Sequence, residues 1–107
     1  MASNQQAVDI IIHKYVDEVK LAMPIDKAVL FGSYAKGTAT EYSDIDICFF
    51  SHAFENKRSV DIVIDLLGIA GKYHPDFCIE PRAFPTSEID NDNPFVREIL
   101  RTGREIA

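Results

Sequence analysis

Apolar residues at Val8, Ile11, Ile12, Tyr15, Val16 and Val19 recur at the three-and-four spacing of one helix face, after a polar start at Ser3 and Asn4. Pro24 ends the pattern, so the spacing predicts a helix from about Asn4 to Ala22. The period then changes. Lys27 to Phe31 is a short apolar run closed by Gly32 and reads as a buried strand. Ser33 to Gly37 follows as one or two helical turns, with Gly37 as the C-cap. A second strand is expected from about Asp44 to Phe50 and a loop from Ser51 to Lys57. Val60, Val63, Ile64, Leu67 and Ala70 mark one face of a second long helix that frays near Gly71. Phe77 to Ala83 reads as a third strand, and Pro81 within it, unable to donate to a ladder, implies a sheet edge or a bend. Asn93 and Pro94 suit the N-cap and first position of a last helix carrying Phe95, Val96, Ile99 and Leu100, with Gly103 near its end.

A chain of 107 residues with 47% apolar and 26% charged side chains is expected to form one domain, 1–107, around a packed core. The formal charge of -6, without a block of Lys or Arg, argues against a nucleic-acid partner, which would require many phosphates to be neutralised. The apolar runs are far shorter than the ~20 residues that cross a bilayer, and the first residues lack a basic region. No membrane contact is expected, and the chain reads as cytoplasmic. Cys48 and Cys78 fall in apolar strand-like segments, where free buried thiols are expected.

The chemistry is concentrated between Leu30 and Phe50. Asp44 and Asp46 are two apart on a predicted strand, so their carboxylates leave one face about 6.6 Å apart along the chain and can reach one metal site. Ile45 and Ile47 take the opposite face and anchor the strand. Oxygen ligands without a His or Cys cluster favour magnesium or manganese over zinc. Gly32 lacks a Cβ and lets a phosphate approach the backbone, while Ser33 opens a turn with free N–H groups and a hydroxyl. Lys36, one turn on, can add a positive charge for the phosphates.

Gly32-Ser33, followed eleven residues after Ser33 by Asp44-x-Asp46, resembles the signature of the DNA polymerase beta-like nucleotidyltransferase superfamily, and the chain resembles its minimal nucleotidyltransferase branch. The longer phrases Phe31-Gly32-Ser33-Tyr34-Ala35-Lys36-Gly37 and Ser43-Asp44-Ile45-Asp46 make the match more specific than a lone glycine pattern. The resemblance implies an α/β (α+β) fold, a small mixed β-sheet with helices packed on one side. It also implies a third carboxylate on a strand beside the Asp pair. Asp76, Cys78 and Glu80 share one face by the strand period, with Glu80 the first choice, Asp76 the second, and Cys78 standing where relatives carry an acid.

On that resemblance Asp44, Asp46 and Glu80 hold two Mg2+ ions, and ATP bound at Gly32, Ser33 and Lys36 is the co-substrate. The implied role is a prokaryotic antitoxin that transfers AMP to a tyrosine of a small helical HEPN-type toxin. The alternative is a non-catalytic, nucleotide-binding antitoxin that acts by complex formation. Transfer to a small molecule such as an aminoglycoside, which larger members perform with an added domain, ranks last. Phe95, Val96, Ile99 and Leu100 offer an apolar face for a partner or a homodimer, or else close the chain's own core. His13, His52 and His74 lack metal-ligand spacing and are expected at the surface or in caps. Tyr34 can stack on a base or pack against a neighbour, and Ser87 to Asp92 reads as a solvated loop.

Overall fold

The computed structural model describes residues 4–40 and 42–107. Helix α1 (Asn4–Ala22) precedes strand β1 (Lys27–Phe31), the short helix α2 (Ser33–Lys36) and strand β2 (Ile45–Ser51). Helix α3 (Ser59–Tyr73), strand β3 (Ile79–Pro85), helix α4 (Pro94–Thr102) and the two-residue strand β4 (Arg104–Glu105) complete the order. The sheet runs β3-β2-β1-β4, antiparallel except for the parallel pair β2–β3. This is the mixed sheet with helices that the motif led us to expect. Pro81 sits on the edge strand, where its missing N–H leaves no ladder bond unmade inside the sheet.

Alternation divides the sheet into two faces. Ala28, Leu30, Ile45, Ile47, Phe49, Ile79 and Ala83 pack against α1 and α3 in the main core. Tyr15 ties these layers together. It is fully buried, its ring meets Phe49 edge-on at 5.8 Å, and its hydroxyl donates to the Leu66 carbonyl at 2.8 Å. Burial and the nearby Glu18 push its phenol well above the ordinary tyrosine range. On the opposite face Val29, Cys48 and Phe50 meet Val96 and Ile99 of α4. The apolar face of α4 thus closes the chain's own core. Phe95, still 45% exposed, lies edge-on to Phe31 at 6.0 Å and tilted against Phe84 at 5.9 Å. The N-cap is as expected, with the Asn93 side chain accepting from Phe95 N and Val96 N.

Several expectations need correction. The buried ridge of α3 is Ile62, Leu66 and Ala70, whereas Val60, Ile64 and Leu67 are roughly half exposed. Apolar residues surround this helix almost completely, so its period does not select a face; contact with the sheet does. The third strand lies two residues later than its composition suggests, because the parallel pairing starts at Ile45↔Ile79. Phe77 and Cys78 therefore precede it, and Cys78 is exposed while Cys48 is buried. Asp44 falls one residue ahead of β2, and Ser51 ends that strand and caps a 3-10 turn at His52–Phe54 by accepting from Ala53 N. His74 takes the capping role of the two that were expected, ending α3 with its N–H donated to the Ala70 carbonyl, and its ring is buried against Glu18 at 2.6 Å. Within the expected loop, Thr86–Ile89 forms a second 3-10 turn, and Ser87 donates to Glu55. The strand β4 has no counterpart in the hydrophobic pattern. It forms where Gly103 approaches β1 so closely that a Cβ would lie 2.5 Å from Val29 Cγ1. Among the described residues no helix is long and apolar enough to cross a membrane.

At the end of the sheet remote from Gly32, Asp26 knots three segments by accepting from Thr86 Oγ1 at 2.6 Å and His52 N at 2.7 Å, with His52 Nδ1 at 3.0 Å. The Thr86 hydrogen bond first, then those from the His52 backbone and ring, hold its carboxyl down at about 2, against 3.8 ordinarily. A depressed folded-state pKa adds stability above pH 3.8 that is lost as pH falls through about 2. Asp26→Asn is therefore expected to flatten the melting-temperature profile over that interval, and an unchanged profile would remove Asp26 as the knot. In urea denaturation at neutral pH, Leu66→Ala is expected to cost about 2–5 kcal/mol and Ile64→Ser under about 0.5 kcal/mol. Equal losses at the two positions would restore the helix face read from periodicity.

Candidate active site

The site forms where the end of β1 meets the beginnings of β2 and β3. Strand β1 must turn sharply after Phe31, and Gly32 makes that turn at φ 73°, ψ −153°, a conformation strained for any residue with a Cβ. Its carbonyl accepts from Ala35 N and Lys36 N, both at 3.1 Å, which starts α2. A Cβ built on Gly32 would lie 2.3 Å from Asp46 Oδ2, so glycine is required for the turn and the carboxylate to share the space. Ser33 is the first residue of α2 and half-buried, and among the described residues its hydroxyl makes no hydrogen bond. Gly37, at φ 76°, ends the helix as expected. Lys36 is exposed on its last turn.

Strand pairing delivers the acids. Asp46 pairs with Phe31 on β1 and, in the parallel register, with Glu80 on β3. Asp46 is half-buried, while Asp44 and Glu80 are exposed. Burial first, then the charges of Glu80 and Asp44, raise the Asp46 carboxyl above its ordinary range, and Arg82 acts in the opposite direction. Glu80 and Asp44 are thus the carboxylates that share the neighbourhood of Asp46. Asp76 is not among them. It lies in the turn before β3 and lines a separate cavity of about 690 Å³ with Tyr34, Thr40, Tyr42, Phe77 and Cys78. The common face for Asp76, Cys78 and Glu80 is corrected accordingly, because only Glu80 belongs to the strand. Tyr34 packs against the main core, and its hydroxyl donates to the Thr40 carbonyl at 3.4 Å.

An all-oxygen donor set suits a hard divalent cation. Among the described residues no three acidic, His or Cys side chains are gathered closely enough to enclose a metal by themselves. That is compatible with magnesium, which usually takes one or two carboxylates and completes its shell with substrate phosphates and water. The donors therefore fit an ion that arrives with a phosphate ligand. Cys48, two residues past Asp46, faces the second core with its thiol pushed up to about 12 by burial, and its role is packing.

The sequence pattern missed Arg82. It stands level with Cys48 in the β2–β3 register, two residues beyond Glu80. Alternation within the expected strand from Phe77 to Ala83 already puts Arg82 on the face of Glu80, and the pairing with β2 shows that Asp46 shares that face.

Residues 12–102 match the family model described as "Nucleotidyltransferase domain", a span that contains all of these side chains. A Methanocaldococcus jannaschii protein provisionally named a protein adenylyltransferase is 36% identical over 84 residues, which cover 73% of this chain and 54% of that protein. The chain thus spans about half the length of this curated relative. A crystal structure from Sulfolobus solfataricus, provisionally titled a nucleotidyltransferase, superposes with TM-score 0.63 at 20% identity over 95% of this chain and 79% of that one. A second, similarly titled structure gives 0.60 at 20% identity over 90% and 97%. At that identity the two structures speak for the fold.

The raised carboxyl of Asp46 makes a stability prediction. The folded chain keeps this proton to higher pH than the unfolded chain, so stability falls as pH rises from 3.8 through the raised value. Asp46→Asn is expected to melt higher than wild type at neutral pH, with the gain shrinking as pH falls through the raised value toward 3.8. Gly32→Ala is expected to melt lower, because its Cβ displaces the Asp46 carboxylate. Scanning fluorimetry across pH checks both, and an Asp46→Asn protein that melts below wild type at neutral pH would contradict the charge crowding.

Proposed function

The chain belongs to the nucleotidyltransferase domain family, and from that premise we propose that it is a Mg2+-dependent protein adenylyltransferase, an antitoxin that moves AMP from ATP to a tyrosine of a HEPN-type helical toxin. The observation that carries the reading is the register Asp46↔Glu80 beside a glycine that admits no Cβ. It sets carboxylates from two strands next to the turn that opens α2, with the Asp46 carboxylate against the Gly32 backbone. The relative from M. jannaschii supports a protein as the acceptor.

In this reading Gly32, Ser33 and Lys36 bind the leaving diphosphate end of ATP, the Ser33 hydroxyl being a donor without a partner among the described residues. Asp44, Asp46 and Glu80 would hold the ions, which when bound would supply charge neutralisation on the phosphates. The tyrosine phenol oxygen forms a bond to the α-phosphorus in line with the departing oxygen. The bond from the α-phosphorus to the bridging oxygen breaks, and diphosphate leaves with its electron pair. Glu80, exposed on the edge strand, takes the phenolic proton in this reading. The toxin partner presents the tyrosine.

The reading in which the chain binds nucleotide and neutralises its partner by complex formation alone draws on one observation. The three carboxylates are not already gathered around a metal-sized centre.

Co-expression with the HEPN-type protein encoded beside it, followed by intact-mass measurement of that protein, tests the two readings. Wild type is expected to add one or more AMP units, and Asp44→Asn with Asp46→Asn to add none. A stable complex without a mass change would favour the binding reading, and full modification by the double variant would remove the carboxylates from the chemistry.

A further inference from the structure

We propose that Arg82 is a further substrate-binding residue, its guanidinium holding the α-phosphoryl group of the nucleoside triphosphate from the β3 side of the site. The inference rests on the nucleotidyl-transfer reading above and assigns it a residue that the motif does not contain.

Arg82 is distinguished by what it lacks. Of the five arginines, Arg58, Arg97, Arg101 and Arg104 each reach a carboxylate, on Asp61, Asp92, Glu98 and Asp9. Among the described residues Arg82 makes neither an ion pair nor a hydrogen bond, although it stands beside the crowded acids. Residue alternation puts Arg82, Glu80 and Asp46 on one sheet face, Arg82 one pleat below the level shared by the other two. Its charge acts on both Asp46 and Cys48. A guanidinium in this position that closes on neither carboxylate keeps its planar fork free for another bidentate acceptor, and a phosphoryl group is such an acceptor.

Access and charge agree with that use. Because β3 is the edge strand, no further strand among the described residues covers Arg82, and the open groove of about 380 Å³ that it lines with Ser59, Val63, Phe84 and Phe95 leaves it exposed beside, not within, the group of acids. Asp44, Asp46, Glu80 and a triphosphate are all anionic, so the site needs cations on both of its flanks. Lys36 lies on the β1 flank and Arg82 on the β3 flank.

Topology then selects the phosphate. The Gly32 turn leaves β1, on the opposite side of β2 from β3. A triphosphate whose diphosphate end rests at that turn crosses Asp46 and brings its α-phosphoryl group toward Glu80 and Arg82. There the guanidinium offsets charge on the non-bridging oxygens while the phosphorus exchanges one oxygen for another.

Calorimetric titration of AMP, inorganic diphosphate and ATP, each with magnesium, into wild type, Arg82→Gln, Arg82→Lys and Ser33→Ala tests the assignment. Arg82→Gln is expected to weaken AMP and ATP binding by roughly tenfold or more. It should leave diphosphate binding unchanged and lower the melting temperature at neutral pH, because the charge that counters the crowding at Asp46 is gone, and Arg82→Lys should recover part of both losses. AMP affinity that is indifferent to Arg82→Gln would overturn the proposal, as would an equal loss for diphosphate. Ser33→Ala weakening diphosphate alone would leave the nucleotide reading intact even then, whereas a folded wild type that binds none of the three would remove both.

Discussion

The parallel pairing of β2 with β3 is the constraint on which the site depends. The two strands are separated in sequence by the whole of α3, and a parallel pair can be joined only by such a crossover. The ridge Ile62, Leu66 and Ala70 fixes how that crossover lies on the sheet. Tyr15 reinforces it from α1 by donating to the Leu66 carbonyl. The register that results sets Glu80 level with Asp46. A slip of one residue would turn Glu80 to the helical face and bury it among Ile47, Phe49 and Leu66.

The two faces of the sheet carry different burdens. One is sealed by α1 and α3 and supplies most of the apolar burial. The other changes character along its length, with α4 and the rings of Phe50, Phe84 and Phe95 over its apolar part and, level with Phe31, the acids where the end of β1 meets the beginnings of β2 and β3. Like charges converge there on a partly buried carboxylate, so the folded chain holds charge crowding at Asp46, which cations bound as proposed above would relieve. A site arranged this way gives up some stability in exchange for ligand affinity. Among the described residues, Arg82 supplies the charge that counters the crowding at Asp46 and has no carboxylate partner of its own.

Much of this was legible in the chain. Turn chemistry is local, so the breaks at Gly32 and Gly37 could be placed, and both glycines have positive φ. The strand period is local too, which is why Ile45 and Ile47 could be assigned to the core and Asp46 to the opposite face. The buried face of α3 was not legible, because apolar residues almost encircle it. Nor was β4, a two-residue pairing made possible by the close approach of Gly103 to β1.

The sequence by itself therefore determined the elements, the Gly32-Ser33 turn and the alternation of Asp44 and Asp46 with isoleucines, since each depends on neighbours a few residues away. Only the tertiary structure decided that Glu80 and not Asp76 stands beside the pair, that Cys78 is exposed, and that Arg82 stands level with Cys48, one pleat from Asp46. Those three facts follow from where β3 begins. That point is set by hydrogen bonds to a strand more than thirty residues earlier, such as Ile45 N to Cys78 O at 2.7 Å, and no local period encodes it.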